Sequence, residues 1–505
     1  MFIGMALSFP RFGLNNRQGY DSALLFSTSN IGYREKAVMI TSLEINNFKS
    51  WHKTDQMRLA PITALFGSNS SGKTSLLQLL LMLKQTTDSS DRSQVLNLGD
   101  EYSMVELGVF PDLLYGHDLG QPLSWRIAWQ IPQLLKIDDP AQKSAILFQS
   151  DILEFSATVA WKVNGDDSQP TFNETTKGRA IVQTMAYRFA DHEFGMRLKT
   201  EAKTEYDLYS SPSDFEFLRT RGRAWSLPMP VKCYGFPDQA RAYYQNAGFL
   251  SDFEFELEQL CNRVFYLGPL REYPRRQYPW AGAQPTDMGR RGERVIDALL
   301  SAREAGITIA RGRGRKRLTL EERVALWLKE LGLIDQFEIR SIAPGSKLFQ
   351  VWVRRSSKAP EVLITDVGFG VSQILPVITL CYYAPEGSTI ILEQPEIHLH
   401  PRVQAGLADV FIDAVKTRNI QIILESHSEH LLRRLQRRIA EEVLTPRSAA
   451  LYFCTAEGGE SHLQNLNLDP FGNLTNWPKD FFGDEFGEIA AMSQAALKRK
   501  RSEGS

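Results

Sequence analysis

The chain has 505 residues, 43% hydrophobic and 23% charged, with a formal net charge of −1. That is the composition of an ordinary globular protein with room for two to four domains' worth of core, or one large domain with insertions. It excludes any argument from overall charge for nucleic acid or membrane binding, so such a surface would be a local patch. The four cysteines, Cys233, Cys261, Cys381 and Cys454, form no C-x-x-C pair; neither a zinc site nor a disulfide framework is indicated, and a reducing cytoplasm fits.

Residues 1–38 are rich in Asn, Ser, Gly and Arg without a sustained period. Their short apolar run follows no basic region and is interrupted by Pro10, which argues against a signal peptide; the stretch reads as a mobile extension. Met39 opens a strand, MITSLEINNFKSW, and a second apolar strand runs to Leu65. Then comes the loop Gly67, Ser68, Asn69, Ser70, Ser71, Gly72, Lys73, Thr74, followed by Ser75 and a leucine-rich helix. The spacing is G-x-x-x-x-G-K-[ST] between strand and helix, the context a phosphate-cradling loop requires; the alternative is a Gly/Ser-rich turn that happens to precede a helix. Small residues let successive N–H groups turn toward one anion, and the helix start adds the positive end of its dipole. Lys73 is placed to reach outer phosphates and the Thr74 hydroxyl to help hold Mg²⁺. Leu96 to Asp118 alternates as strands and turns do.

From Leu123 to Tyr209 four stretches, LSWRIAWQI, ILEFSATVAWKV, RAIVQTMAYRFA and FGMRLKTEAKTEYDLY, alternate as strands of an antiparallel sheet do. Residues 211–262 are mixed, aromatic and helical at their end, without heptads, so the insertion is compact and carries no long coiled coil. VFYLGPLREYPRR, from Val264, reads as a strand, a turn and a basic knot. The run from Arg311 to Arg317 is either a phosphate grip or a solvated loop; glycines that break any helix and the absence of interleaved aromatics favour the loop.

Three later stretches complete a constellation. In DVGFGVSQILPVITL, a turn containing Gly368 and Gly370 feeds the N-terminus of an apolar helix with Ser372 and Gln373 in its first turn, a second anion-facing device. The uncharged window from Val367 to Pro385 nears the length of a membrane span, but its Gly, Ser, Gln and Pro content reads as a buried helix. In STIILEQPEIHLHP an apolar strand ends in Glu393, an Mg²⁺-holding position, followed by Gln394 and Glu396. Gln394 is a neutral amide that can orient a water but not take its proton. His398 and His400 lie at i, i+2, which suits a helical metal pair poorly. In NIQIILESHSEHLLRRLQRR a strand ends in Glu425, Ser426 and His427 before an amphipathic helix; a Ser-His-acid relay among these three is excluded because neighbouring residues at a strand end point to different sides.

The order of N-F-K-S turn, phosphate loop, glycine turn, acid strand and His strand resembles the ABC-type SMC/RecF-like ATPases, bacterial AAA-family proteins of the kind found in anti-phage defence. The resemblance covers residues 39–118 and 264–441. It implies an α/β fold: an ABC-type P-loop head with a mixed parallel sheet, an antiparallel β lobe and a compact insertion. The expected division is an extension over 1–38, head over 39–122, lobe and insertion over 123–262, head over 263–445 and a tail region over 446–505, where NWPKDFFGDEF is similar to the closing segment of one such subgroup. By resemblance the Gly368 turn is the signature, with Gly368 where the family has Ser, so its γ-phosphate contact falls to backbone N–H groups or Ser372. Glu393 is the Mg²⁺ acid, Gln394 stands at the usual base position, His400 belongs to a loop facing a second subunit, and His427 is the switch that bonds the γ-phosphate. The family's function implies ATP and Mg²⁺ as cofactors and a cytoplasmic head-to-tail homodimer or larger assembly, off the membrane. Either Gln394 or Glu396 positions the water and turnover is slow, or ATP acts mainly as a clamp. The partner is a separate effector, a nuclease or toxin, with nucleic acid and RecF-like DNA repair as alternatives. A nuclease in its own right would need an acidic Toprim domain that these motifs leave no room for.

Overall fold

The computed structural model describes residues 38–138, 146–163, 178–200, 204–222, 225–312, 314–478, 481, 491–496 and 499. The expected extension lies outside them except for Val38. At the centre is a six-stranded sheet in the order Val264–Leu267, Thr389–Glu393, Gln421–Glu425, Ile62–Gly67, Ala449–Glu457, Glu460–Leu466. The first five strands are parallel and the last turns back as a hairpin. Thr389–Glu393 and Gln421–Glu425 are buried at every position, as strands covered on both faces by helices must be, which is why they read as unbroken apolar runs. Parallel strands bring their carboxyl ends to one edge. Gly67, Glu393 and Glu425 therefore share that edge, although far apart in sequence.

The second large sheet has eight antiparallel strands. Met39–Phe48 pairs with Trp51–Lys53, with Met57–Arg58 and with Leu123–Asp138; Ile146–Val163, Gly178–Phe189, His192–Thr200 and Glu205–Ser211 follow in order. Alternation sets the buried face: Leu123, Trp125, Ile127 and Trp129 all point inward. The strand Met39–Phe48 thus belongs to the antiparallel lobe, whose apolar face packs with the phosphate-loop helix Lys73–Asp88 and the helix Leu250–Asn262 in one core. A second core gathers the helices Gly370–Tyr383, Pro401–Arg418 and Glu429–Ala440 beneath the central sheet. A smaller antiparallel sheet, Tyr278–Pro279, Leu348–Arg354, Gln336–Ser341 and Glu361–Leu363, adjoins it.

Two expectations meet their test here. The uncharged window is the buried helix Gly370–Tyr383, and no helix among the described residues is long and apolar enough to cross a membrane. The strands expected between Leu96 and Asp118 do not form; the segment makes turns and two 3-10 helices, Phe110–Leu113 and Tyr115–His117. Its side chains bond its own backbone instead: Asp100 accepts the Tyr102 N–H at 3.0 Å and Asp112 the Val109 N–H at 2.9 Å. Such local bonds compete with pairing to a neighbouring strand. The longest described helix, Pro401–Arg418, has 18 residues, and no coiled-coil arm is present among the described residues.

Candidate functional site

The strand Ile62–Gly67 delivers the loop with positive φ at Gly67 (142°), Ser70 (59°) and Gly72 (85°). A β-carbon on Gly67 would lie 2.2 Å from the Cys454 carbonyl oxygen of the neighbouring strand, and one on Gly72 would lie 2.4 Å from the Ser461 hydroxyl. Glycine is needed at both for conformation and for space. Ser68, Asn69 and Ser70 are exposed, Ser71 and Lys73 buried. The Ser71 hydroxyl donates to the Ser68 carbonyl (2.8 Å), and the Lys73 ammonium curls back onto the carbonyls of Ser68 (2.6 Å) and Gly67 (3.2 Å). Burial lowers its pKa, against the opposing pull of Glu425 and Glu396. Thr74 and Ser75 lie in the first turn of the helix that begins at Lys73, and no acid sits in that turn to compete with an anion.

The acids gather opposite. Glu393 and Glu425 are register partners on adjacent strands, and Glu425 accepts the Thr74 hydroxyl at 2.7 Å. This contact ties the phosphate loop to the acid edge. Glu393 accepts the Tyr266 hydroxyl at 2.9 Å, and its backbone carbonyl accepts Nη2 of Arg271 at 3.2 Å. Its carboxyl is pushed up to about 7, first by burial and then by the Glu425 charge. Gln394 adopts φ 43° and donates its backbone N–H to the Glu425 carbonyl at 2.9 Å. Glu396 is buried and accepts the His427 N–H at 2.6 Å; burial also raises its pKa. The His427 ring is exposed and bonds the Gly67 carbonyl, and burial of its inner side together with Lys73 lowers its pKa. The Ser-His-acid relay is not assembled, since Glu425 is engaged by Thr74, His427 by Gly67, and the Ser426 hydroxyl accepts the Ser428 N–H at 3.0 Å.

At the glycine turn, Gly368 and Phe369 are exposed. Ser372 and Gln373 are buried, and the Ser372 hydroxyl donates to the Phe369 carbonyl at 2.8 Å. The exposed donors of this turn are therefore backbone groups around Gly368 and Gly370, and Ser372 is turned into its own subunit. Phe369 packs between Tyr273 and His398, at 5.5 and 5.4 Å between ring centres, while His400 caps the helix Pro401–Arg418 by accepting the Arg402 N–H at 3.3 Å. The two histidines thus serve different jobs.

Among the described residues no cluster of three or more His, Cys, Asp or Glu could cage a metal by itself. An Mg²⁺ ion needs no such cage, because it keeps waters and takes phosphate oxygens. The all-oxygen set of Thr74, Glu425 and Glu393 fits it, with phosphate supplying the remainder. Glu425, Tyr266 and Arg271 were not picked out as site residues from sequence. One signal was there: Ile390–Glu393 and Ile422–Glu425 spell the same four letters, IILE. In the basic run, Arg317 is bonded to Thr308, and Arg313 lies outside the described residues.

Residues 39–164 match the sequence model of an AAA ATPase domain. Residues 293–433 match an AAA domain described as a putative AbiEii toxin of a type IV toxin–antitoxin system, and residues 444–492 a protein family of unknown function. No curated protein matches the chain. Among solved structures, it is similar to an SMC head bound to the C-winged helix domain of ScpA, at 10% identity over 85% of this chain and 98% of that one, with a TM-score of 0.41. For the SMC head domain from Thermotoga maritima the values are 10%, 84%, 98% and 0.35. For an Smc head with an extended coiled coil, bound to the C-terminal domain of ScpA derived from Pyrococcus furiosus, they are 11%, 85%, 97% and 0.37. The two AAA matches carry between them the phosphate loop, the Glu393 strand and His427, and it is AAA ATPase domains that this chain is similar to over those residues.

Proposed function

We propose that this protein binds ATP with Mg²⁺ at the edge shared by the phosphate loop and the acid pair, and that two copies close head to tail over the nucleotide. The observation that carries this reading is the bond from the Thr74 hydroxyl to Glu425, which joins the loop to the acids across the strand edge. In this reading the loop N–H groups and Lys73 hold the phosphates, Lys73 leaving the Ser68 carbonyl for the anion. Thr74, Glu425 and Glu393 hold the magnesium and its waters, and His427 senses the terminal phosphate from beside Gly67. The exposed Gly368 turn offers its backbone donors to the nucleotide of a second copy. Closure then couples nucleotide state to a separate effector in the cytoplasm, and anti-phage defence is the setting the toxin–antitoxin family match favours.

Gln394 cannot act as a base, and Glu396 is buried with one oxygen held by the His427 N–H, so hydrolysis is slow, with Gln394 orienting the water. The same two residues favour the second reading, an ATP-clamped scaffold that holds a nuclease or toxin. Steady-state turnover separates the two: a rate above about 1 s⁻¹ discards the scaffold. For both, Lys73→Ala removes a charge-assisted phosphate contact and lowers ATP affinity by about 100-fold, and ATP no longer shifts the molar mass in light scattering from one copy toward two. Unchanged ATP binding by that variant rules out the proposed site.

A further inference from the structure

Arg271 follows the strand Val264–Leu267 and lies outside both AAA matches. It is 5% exposed. One of its donors, Nη2, bonds the Glu393 carbonyl at 3.2 Å, while Nε and Nη1 are buried without a hydrogen-bond partner. Buried guanidinium groups normally spend every N–H, because an idle one carries its full desolvation cost. Two idle donors on a fixed planar fork, at the metal edge of a phosphate site, are the complement of an oxyanion. Tyr266 already occupies the Glu393 carboxylate at 2.9 Å, so Arg271 is not needed to satisfy that oxygen.

Strand order fixes the geometry. Glu393 stands two strands from Gly67, with Glu425 between them; at the usual strand spacing that is about 10 Å, the scale of a β,γ-diphosphate with its metal. Lys73 rises at one end of this span and Arg271 is bonded at the other. Glu396 lies within electrostatic reach of both cations.

We propose that Arg271 holds the terminal phosphate of the bound nucleoside triphosphate from the Glu393 end of the site, and so reads triphosphate against diphosphate. This rests on the nucleotide reading of the site above. Lys73 and the loop hold the phosphates that ATP and ADP share; Arg271 holds the one that only ATP has. The side chain supplies in cis a positive charge that does not depend on a second copy.

The test is calorimetric titration of the full chain with Mg²⁺ and either ADP or a slowly hydrolysed ATP analogue, for wild type, Arg271→Gln, Arg271→Lys and Lys73→Ala. Arg271→Gln should weaken the triphosphate analogue by about 30-fold and leave ADP within about 2-fold. Arg271→Lys, with charge but no fork, should fall between, and Lys73→Ala should weaken both ligands. If Arg271→Gln does not fold, judged by its melting transition, Arg271→Lys carries the same comparison. Equal losses for ADP and the analogue would mean that Arg271 only props the Glu393 strand, and would overturn the assignment. So would an Arg271→Gln protein that still discriminates as wild type does. A wild type that binds neither nucleotide overturns the nucleotide reading and this assignment together, whereas discrimination kept in Arg271→Gln but lost in Lys73→Ala overturns this assignment alone.

Discussion

The two walls of the site differ in how their polar groups are spent. On the phosphate-loop wall they are paired within the protein: the Trp51 indole donates to the Gly72 carbonyl at 3.0 Å, the Ser461 hydroxyl to the Ser50 hydroxyl at 2.7 Å, and the Ser461 N–H to the Ser50 carbonyl at 2.8 Å. The acid and signature wall holds idle groups in its interior: Nε and Nη1 of Arg271, Nε2 of Gln373 and Oε2 of Glu396 are buried without partners. Native interiors keep few such atoms. Others lie elsewhere among the described residues, at Trp125, Arg323 and Thr379 for example, but of the two walls only this one holds them, which fits a loop built before the ligand arrives and an opposite wall completed by it.

Substitutions at two glycines would break that contrast most sharply. Gly72→Ala puts a β-carbon 2.4 Å from the Ser461 hydroxyl, 2.8 Å from the Trp51 indole nitrogen and 2.9 Å from the Ser50 hydroxyl, at a φ of +85°. The finished wall cannot absorb it, so ATP affinity should fall by about 100-fold and the melting temperature should drop with it. On the other wall a β-carbon at Gly368 meets nothing within 4 Å. Gly368→Ala should therefore melt as wild type does and bind ATP as a single copy, and lose only the ATP-dependent shift to two copies in light scattering. Equal effects of the two variants on ATP affinity would erase the distinction between the walls.

The contrast also marks where sequence stops being legible. The loop, the glycine turn and the two acid strands are local patterns, and each is found where its spacing predicts: the helix begins at Lys73, the strands end at Glu393 and Glu425. Arg271 carries no local pattern. Its meaning comes from burial beside a strand reached more than a hundred residues later, and Glu425 looked like a strand end until its register with Glu393 was known. Likewise, the period-2 pattern of Met39–Phe48 fits either sheet; only its pairing with Leu123–Asp138, across the phosphate loop, assigns it to the lobe. The alternation between Leu96 and Asp118 misled for the opposite reason, because Asp and Asn side chains there satisfy the backbone locally. Ser461 lies in the segment matched to a family of unknown function, and nothing in its sequence context says that it abuts the phosphate loop.

A smaller effect sharpens the picture of the finished wall. Trp51→Phe keeps a ring in a fully buried position and deletes the indole donor to the Gly72 carbonyl, leaving that oxygen the Ser75 N–H at 3.1 Å. The loss is one neutral hydrogen bond, about 1 kcal/mol, read as a roughly 5-fold weaker ATP affinity with the ATP-to-ADP ratio unchanged. An altered ratio would mean that Trp51 acts on the terminal phosphate, and the division of labour between the walls would be wrong.

The smallest effect on the site is expected from a half-buried carboxyl outside both walls. Glu254, on the helix Leu250–Asn262, accepts the Phe236 N–H at 2.6 Å, and burial raises its carboxyl to about 7. A carboxyl whose folded-state pKa stands above its unfolded value binds more protons when folded. Stability from this group is therefore full below about pH 4.5 and is lost as pH rises through about 7. Between pH 5 and pH 8 the folded state should lose about 1–3 kcal/mol on this account, measured as the change in urea midpoint. Glu254→Gln, which cannot ionise, should flatten that slope and be relatively more stable than wild type at pH 8 than at pH 5. Its ATP affinity at pH 8 should match wild type, because Glu254 supports the insertion's packing on the phosphate-loop helix and touches neither wall. A pH slope unchanged by Glu254→Gln would place the titrating group elsewhere, and the raised carboxyl of Glu393, on the acid wall itself, would be the next one to substitute.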